Sequence, residues 1–142
     1  MKRVLIVYWS ATGNTEAMAR AVAEGVRAAG GTAQVQAVAR TEVAELSDYD
    51  ALALGCPSMG DEVLDEDEME PFVASITGAQ VGDKPLALFG SYDWGDGQWM
   101  RDWQQRMEGL GARLVVRDLI CQLDPDAPVL DACRKAGAAL VG

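Results

Sequence analysis

Val4-Leu5-Ile6-Val7-Tyr8-Trp9-Ser10-Ala11-Thr12-Gly13-Asn14-Thr15 joins a continuous apolar, β-rich run to a polar segment containing one glycine. A run that is apolar at successive positions rather than alternate ones is what a strand covered on both faces requires. Beyond the polar segment the period changes. Met18, Val22, Gly25, Val26 and Ala29 form one helical stripe, which Gly30-Gly31 closes. Strand, polar turn and helix in that order make the opening of a βα unit.

The rest of the chain repeats the alternation. Ala33, Val35 and Ala37 alternate with Gln34 and Gln36, the mark of a half-exposed edge strand. Ala51-Leu52-Ala53-Leu54 is a short buried strand stopped by Gly55 and Pro57. A helix is expected over about residues 68–77, with Met69, Phe72, Val73 and Ile76 inward. Leu86-Ala87-Leu88-Phe89 is a fourth strand, followed by a helix with Trp99, Trp103, Met107 and Leu110 on one face. A fifth strand begins at Leu114-Val115-Val116 and extends toward Ile120. A last helix starts near Pro125–Pro128 and carries Leu130, Cys133, Gly137 and Leu140 on one side. This alternation predicts a doubly wound parallel sheet of five strands with helices on both faces. An interior first strand and an edge second strand give the order 2-1-3-4-5, whose ligand site lies at the carboxyl ends of the strands.

Composition narrows the function. At 142 residues, 49% of them apolar, residues 1–142 are expected to form one domain with a real core. Twelve basic against twenty-two acidic residues leave a charge of −10, which argues against nucleic acid or an anionic membrane and for soluble partners with basic faces. The absence of histidine removes Ser-His-Asp and Cys-His catalysis and histidine-ligated metals. The cysteines, Cys56, Cys121 and Cys133, are odd in number and form no C-x-x-C, so no metal site and no disulfide framework is expected. No signal peptide and no run approaching the roughly 20 apolar residues of a membrane span is seen, so a cytoplasmic protein is expected.

Three loops should share the carboxyl rim of such a sheet: Trp9–Thr15, Cys56–Glu62 and Gly90–Gly97. In the first, Ser10, Thr12, Asn14 and Thr15 surround Gly13 just before a helix. Unpaired N–H groups at a helix start suit a phosphate, here held by neutral donors alone. The alternative is a helix cap with a polar turn. The loop is neither a Walker A motif, having no Lys after its Gly, nor G-x-G-x-x-G. In the third loop, Trp94 stands among Gly and Asp residues, where burial is difficult and stacking on a flat partner is natural. Trp99 and Trp103, four apart on an apolar helix face, belong to the core, whereas Trp9 and Tyr92 are undecided. In the second loop Met59 offers a soft apolar surface and Gly60 a backbone free of side-chain constraint. The rim thus fits a flat aromatic ligand carrying a phosphate. Between these loops Asp61, Glu62, Asp65, Glu66, Asp67, Glu68 and Glu70 form an acidic run expected to be a solvated, docking face, with Glu62 alone bordering the site.

All three loop sequences, in this order, resemble those of the flavodoxins, specifically the short-chain type of anaerobic bacteria, with similarity from about residue 3 to 141. The resemblance implies a single-domain, flavodoxin-like fold and non-covalently bound FMN. Ser10, Ala11, Thr12, Gly13, Asn14 and Thr15 would hold the phosphate, with help from Ser91. Pro57, Ser58, Met59, Gly60, Asp61 and Glu62 would line one side of the flavin and Ser91, Tyr92, Asp93, Trp94 and Gly95 the other. Met59 and Trp94 would cover the two ring faces, Glu62 would accept from N3–H, and the Gly60 carbonyl would turn toward N5 on reduction. The implied function is a low-potential one-electron carrier, not an enzyme, using the semiquinone/hydroquinone couple. A monomer is expected, with redox partners such as reductases and low-potential oxidoreductases. The family usually has Gly where this chain has Asp93; Asp tolerates left-handed geometry, so the turn is expected to survive.

Four other readings compete. A phosphorelay receiver domain would need acidic residues at the ends of strands one and three, where Trp9-Ser10 and Gly55-Cys56 stand. An NAD(P)H-dependent quinone or FMN reductase would need a nicotinamide pocket over the flavin. A radical-enzyme activator of the same fold would also be flavin-based. A non-flavin acidic interaction module would be colourless.

Overall fold

A computed structural model describes all residues, Met1–Gly142. The elements run β1 (Arg3–Tyr8), α1 (Asn14–Ala28), β2 (Thr32–Ala37), two 3-10 segments (Val38–Arg40 and Val43–Asp48), β3 (Ala51–Gly55), α2 (Met69–Ala74), α3 (Gly78–Val81), β4 (Pro85–Tyr92), α4 (Gln98–Gly109), β5 (Arg113–Leu114), β6 (Leu119–Gln122) and α5 (Ala127–Val141). The sheet is parallel throughout, in the order β2-β1-β3-β4-β5, with β6 also paired to β4. This is the expected doubly wound arrangement.

The apolar runs have the predicted cause. In β1, Val4 and Ile6 pack under α1 and α5, while Leu5 and Val7 point to the opposite layer of α2 and α4. Trp99, Trp103 and Met107 of α4 are buried in that second layer, as their helical spacing required. Small residues, Ala51, Ala53 and Ala87, lie beneath α1 and α5. There α1 and α5 meet at glycine: a Cβ on Gly25 would collide with the Arg134 backbone, and one on Gly137 with the Val22 carbonyl.

Several details differ from the sequence reading. Ala29 is exposed and lies beyond the last turn of α1, because Gly30, at φ 93, already reverses the chain. The helix expected over 68–77 is shorter and is followed by the separate turn of α3, although Ile76 is still buried. The fifth strand is broken into β5 and β6. Asp118 sits between them at φ 55, held by buried Gln104, whose amide accepts from the Asp118 N–H at 2.7 Å and donates to its carboxylate at 3.2 Å. The side chain of a neighbouring helix thus satisfies backbone that a continuous strand would have paired with the sheet. No helix is long and apolar enough to cross a membrane.

Candidate functional site

The carboxyl ends of β1, β3 and β4 bring the three loops together. Ala11, Thr12 and Asn14 line one cleft with Pro57, Ser58 and Met59 and with Ser91, Tyr92 and Asp93. Ser91 knits them. Its hydroxyl lies 3.2 Å from that of Thr15, both buried, and its carbonyl accepts from the Ser58 N–H at 2.9 Å. A separate pocket between the 62–64 segment and α4 is lined by Trp99, Trp103 and Arg106 and shares no residue with this cleft.

The first loop is arranged for an anion. Gly13 precedes α1 in the left-handed region at φ 94, and no side chain caps the helix from that position. The Ser10 hydroxyl oxygen accepts from the N–H groups of Gly13 and Glu16 at 3.1 and 3.4 Å, and Thr12 Oγ1 accepts from Asn14 N–H at 3.4 Å. Those hydroxyls keep their own protons free to donate outward. The N–H groups of Ala11, Thr12 and Thr15 have no partner within the protein. Unpaired amides at a helix start, hydroxyls with protons to give and no cation in the loop form a neutral donor set that suits phosphate.

Met59 and Val63 exchange two backbone hydrogen bonds, of 2.8 and 3.0 Å, closing a tight turn over Gly60-Asp61-Glu62. Gly60 and Glu62 take φ 50 and 57 within it, and no hydrogen bond holds the Gly60 carbonyl. Glu62 reaches across to the third loop. Its Oε1 accepts from the Gln98 N–H, at the start of α4, at 3.2 Å, and its carboxylate sits where a Cβ on Gly95 would collide. The helix N-terminus favours a negative charge there. Gln98 supports the candidate site residue Glu62 through its backbone, which sequence reasoning missed; only its place directly after Gly97 at a helix start hinted at it.

Trp94 is 59% exposed, as a stacking surface would be, and Met59 is half-buried. Tyr92 packs with its ring centroid 5.5 Å from that of Trp99, whose indole N–H donates to the Cys56 carbonyl at 3.1 Å. Trp9 is half-buried, its indole N–H donating to Glu68 at 3.0 Å. Asp93 is exposed and does not adopt left-handed geometry; Gly95 and Gly97 do, at φ 92 and 93. The tolerance invoked for Asp93 is therefore not needed. Its carbonyl instead accepts from the Gln122 side chain at 3.0 Å.

The acidic run is less solvated than expected. Asp65 is buried and accepts from the Glu68 and Met69 N–H groups at 2.8 and 3.0 Å, which fixes the start of α2. Glu70 pairs with Arg106 through two hydrogen bonds, which hold its carboxyl below the usual range. Asp61, Glu66 and Asp67 remain exposed. All three cysteines are free and buried. Burial pushes the Cys56 and Cys133 thiols up to about 12 and Cys121 to about 11, so none is a thiolate near neutrality.

The flavodoxin family profile matches residues 6–137. The chain belongs to the flavodoxin family. It is 50% identical over 121 residues to the flavodoxin of Clostridium beijerinckii, covering 85% of this chain and 87% of that one. It is 40% identical to the flavodoxin of Megasphaera elsdenii over 96% of both chains. The solution structure of two-electron reduced M. elsdenii flavodoxin superposes with a TM-score of 0.86 at 41% identity, covering 95% of this chain and 98% of that one. Flavodoxins bind FMN and pass electrons to redox partner proteins, and they are carriers rather than enzymes. The reductase reading has less support, and the receiver-domain and non-flavin readings do not fit a flavodoxin.

Proposed function

We propose that residues 1–142 act as one FMN-binding domain that carries single electrons at low potential. The observation that carries this reading is the cleft lined jointly by the loops after β1, β3 and β4 and tied through Ser91. Bound FMN supplies the one-electron chemistry. The hydroxyls of Ser10, Thr12 and Thr15, the Asn14 amide and the loop N–H groups, with Gly13 shaping the turn and Ala11 on the wall, hold the phosphate. Pro57, Ser58 and Tyr92 shape the cleft. Met59 and Trp94 exclude water from the two ring faces. Glu62, with one oxygen held by Gln98 N–H, presents the other to N3–H. The Gly60 carbonyl, free of any protein hydrogen bond, would accept one from N5–H and so favour the flavin states that carry that proton. Asp61, Asp93 and Gly95 complete the turns.

A charge of −10 and a phosphate site with no cation in its loop would disfavour added negative charge on the flavin, and so hold electrons at low potential. The same charge favours partners with basic faces and a monomer that repels its own copies. A cytoplasmic location accords with free, buried thiols. Anaerobic reductive titration of the FMN-loaded protein tests the reading. A one-electron-reduced absorbance that accumulates near the midpoint supports it. Direct passage to the two-electron state favours a reductase, and failure to bind FMN refutes the site.

A further inference from the structure

Trp99 and Trp103 stand one turn apart on the buried face of α4, each 2% exposed. Burial makes them equals, but their indole N–H groups differ. That of Trp103 has no hydrogen-bond partner. That of Trp99 donates to the Cys56 carbonyl at 3.1 Å. Trp103 therefore serves the core as an apolar ring, whereas Trp99 is also tied to one backbone position.

That position is the base of a site loop. Cys56 is the first residue beyond β3, where the loop that carries Met59, Gly60 and Glu62 begins. The Cys56 N–H donates to the Phe89 carbonyl at 3.1 Å and the Ser58 N–H to the Ser91 carbonyl at 2.9 Å. No backbone N–H reaches the Cys56 carbonyl between them. Cys56 is fully buried, so a carbonyl without a partner would be costly there, and the Trp99 indole supplies the partner. Gly90 leaves the approach open, because a Cβ there would strike the Cys56 carbonyl and crowd the Trp99 ring. Trp99 also meets the third loop: its ring lies 5.5 Å from that of Tyr92, the planes tilted by 51°. The first turn of α4 thus grips the second loop twice, at Cys56 and, through the Gln98 N–H, at Glu62.

Resting on the carrier reading, we propose that Trp99 is a positioning residue: its indole N–H and ring fix the base of the Met59–Gly60 loop against the loop that carries Tyr92 and Trp94. It acts through Cys56 and Tyr92. The bond to Cys56 sets the width of the cleft between the two loops. Through the short stretch from Pro57 to Met59 it also sets the place from which the Gly60 carbonyl can reach N5–H.

Two matched substitutions test this. Trp99→Phe keeps an aromatic ring and deletes the N–H. Trp103→Phe makes the same change one turn away, where the N–H bonds to nothing. Both FMN-loaded variants are expected to lose thermal stability, since each loses ring volume in the core. Only Trp99→Phe should bind FMN more weakly, by about three- to tenfold, the order of one lost hydrogen bond, read from flavin fluorescence released on dilution. Only Trp99→Phe should show a smaller one-electron-reduced absorbance at the midpoint of an anaerobic titration. Equal effects of the two variants on these flavin readouts, or parental readouts in Trp99→Phe, would overturn the assignment. Hydrogen exchange in the FMN-loaded parent needs no variant to fold. The Trp99 indole proton should exchange through the same opening as the Met59 and Val63 amides, and the Trp103 indole proton more slowly. A Trp99 indole proton that exchanges with that of Trp103, apart from the loop amides, would reduce Trp99 to a core side chain. Failure of the parent itself to bind FMN would instead refute the carrier reading, and the positioning role with it.

Discussion

Gly60 and Asp93 are the two residues of the candidate site whose roles single substitutions test most directly. A Cβ on Gly60 would meet nothing, so Gly60→Ala adds only the cost of left-handed backbone, about 1–2 kcal/mol. Alanine also narrows the backbone angles through which the carbonyl can turn toward N5. The variant should therefore accumulate less one-electron-reduced flavin at mid-titration than the parent; equal accumulation would rule out the turn. Asp93 puts an exposed carboxylate beside the predicted ring. Removing it in Asp93→Gly should raise the potential of the second electron by about 15–45 mV, the effect of a water-screened unit charge at ~4–12 Å. Redox titration decides, and an unchanged or lowered potential would refute the electrostatic role. Both residues are read as candidate site positions from the sequence alone. The support of Glu62 by Gln98 is not, since a backbone N–H leaves no trace in residue identity.

Among the elements, α1 and α5 are fitted to one another backbone to backbone. In an exposed helix interior, Gly→Ala gains about 1 kcal/mol. At Gly137 the added methyl would strike the Val22 carbonyl, so the sign should reverse. Gly137→Ala is expected to lose about 1–3 kcal/mol in urea unfolding, the usual range for overpacking. The start of α2 and the flank of α4 are joined by Glu70 and Arg106. The Glu70 carboxyl is held below its ordinary value of 4.5, so the pair stabilises the fold above that pH. Its contribution is lost as acidification passes through the lowered folded value. Arg106→Gln should thus cost up to about 1 kcal/mol at pH 7, the range of a surface pair, and close to nothing once Glu70 is protonated in both states. Denaturation at the two pH values measures the difference. The existence and type of α1, α4 and α5 follow from their apolar stripes. The break between β5 and β6 does not, because the buried Gln104 that causes it lies on another element.

Over the whole molecule, the net charge of −10 sets how partners arrive. Association with a basic redox partner should slow by about tenfold or more as salt rises from ~50 to ~500 mM, because the steering field is screened. Stopped-flow rates over a salt series test this, and salt-independent transfer would exclude electrostatic steering. The acidic run illustrates why such reasoning needs coordinates. Its sign is plain from composition, yet Asp65, Glu68 and Glu70 are drawn into a helix start, an indole bond and an ion pair.

The order of elements, the parallel sheet and the three rim loops were determined by the sequence itself. Apolar period, glycine position and loop chemistry are local properties, and the chirality of βα units leaves few ways to connect them. Tertiary structure alone decided which loops share Ser91, which carboxylates are spent on structure and which apolar groups remain in water. Those outcomes depend on contacts between residues far apart in the chain, such as Thr15 with Ser91, Glu62 with Gln98 and Leu123 with Tyr92. They exist only once the sheet has brought its carboxyl ends to one rim.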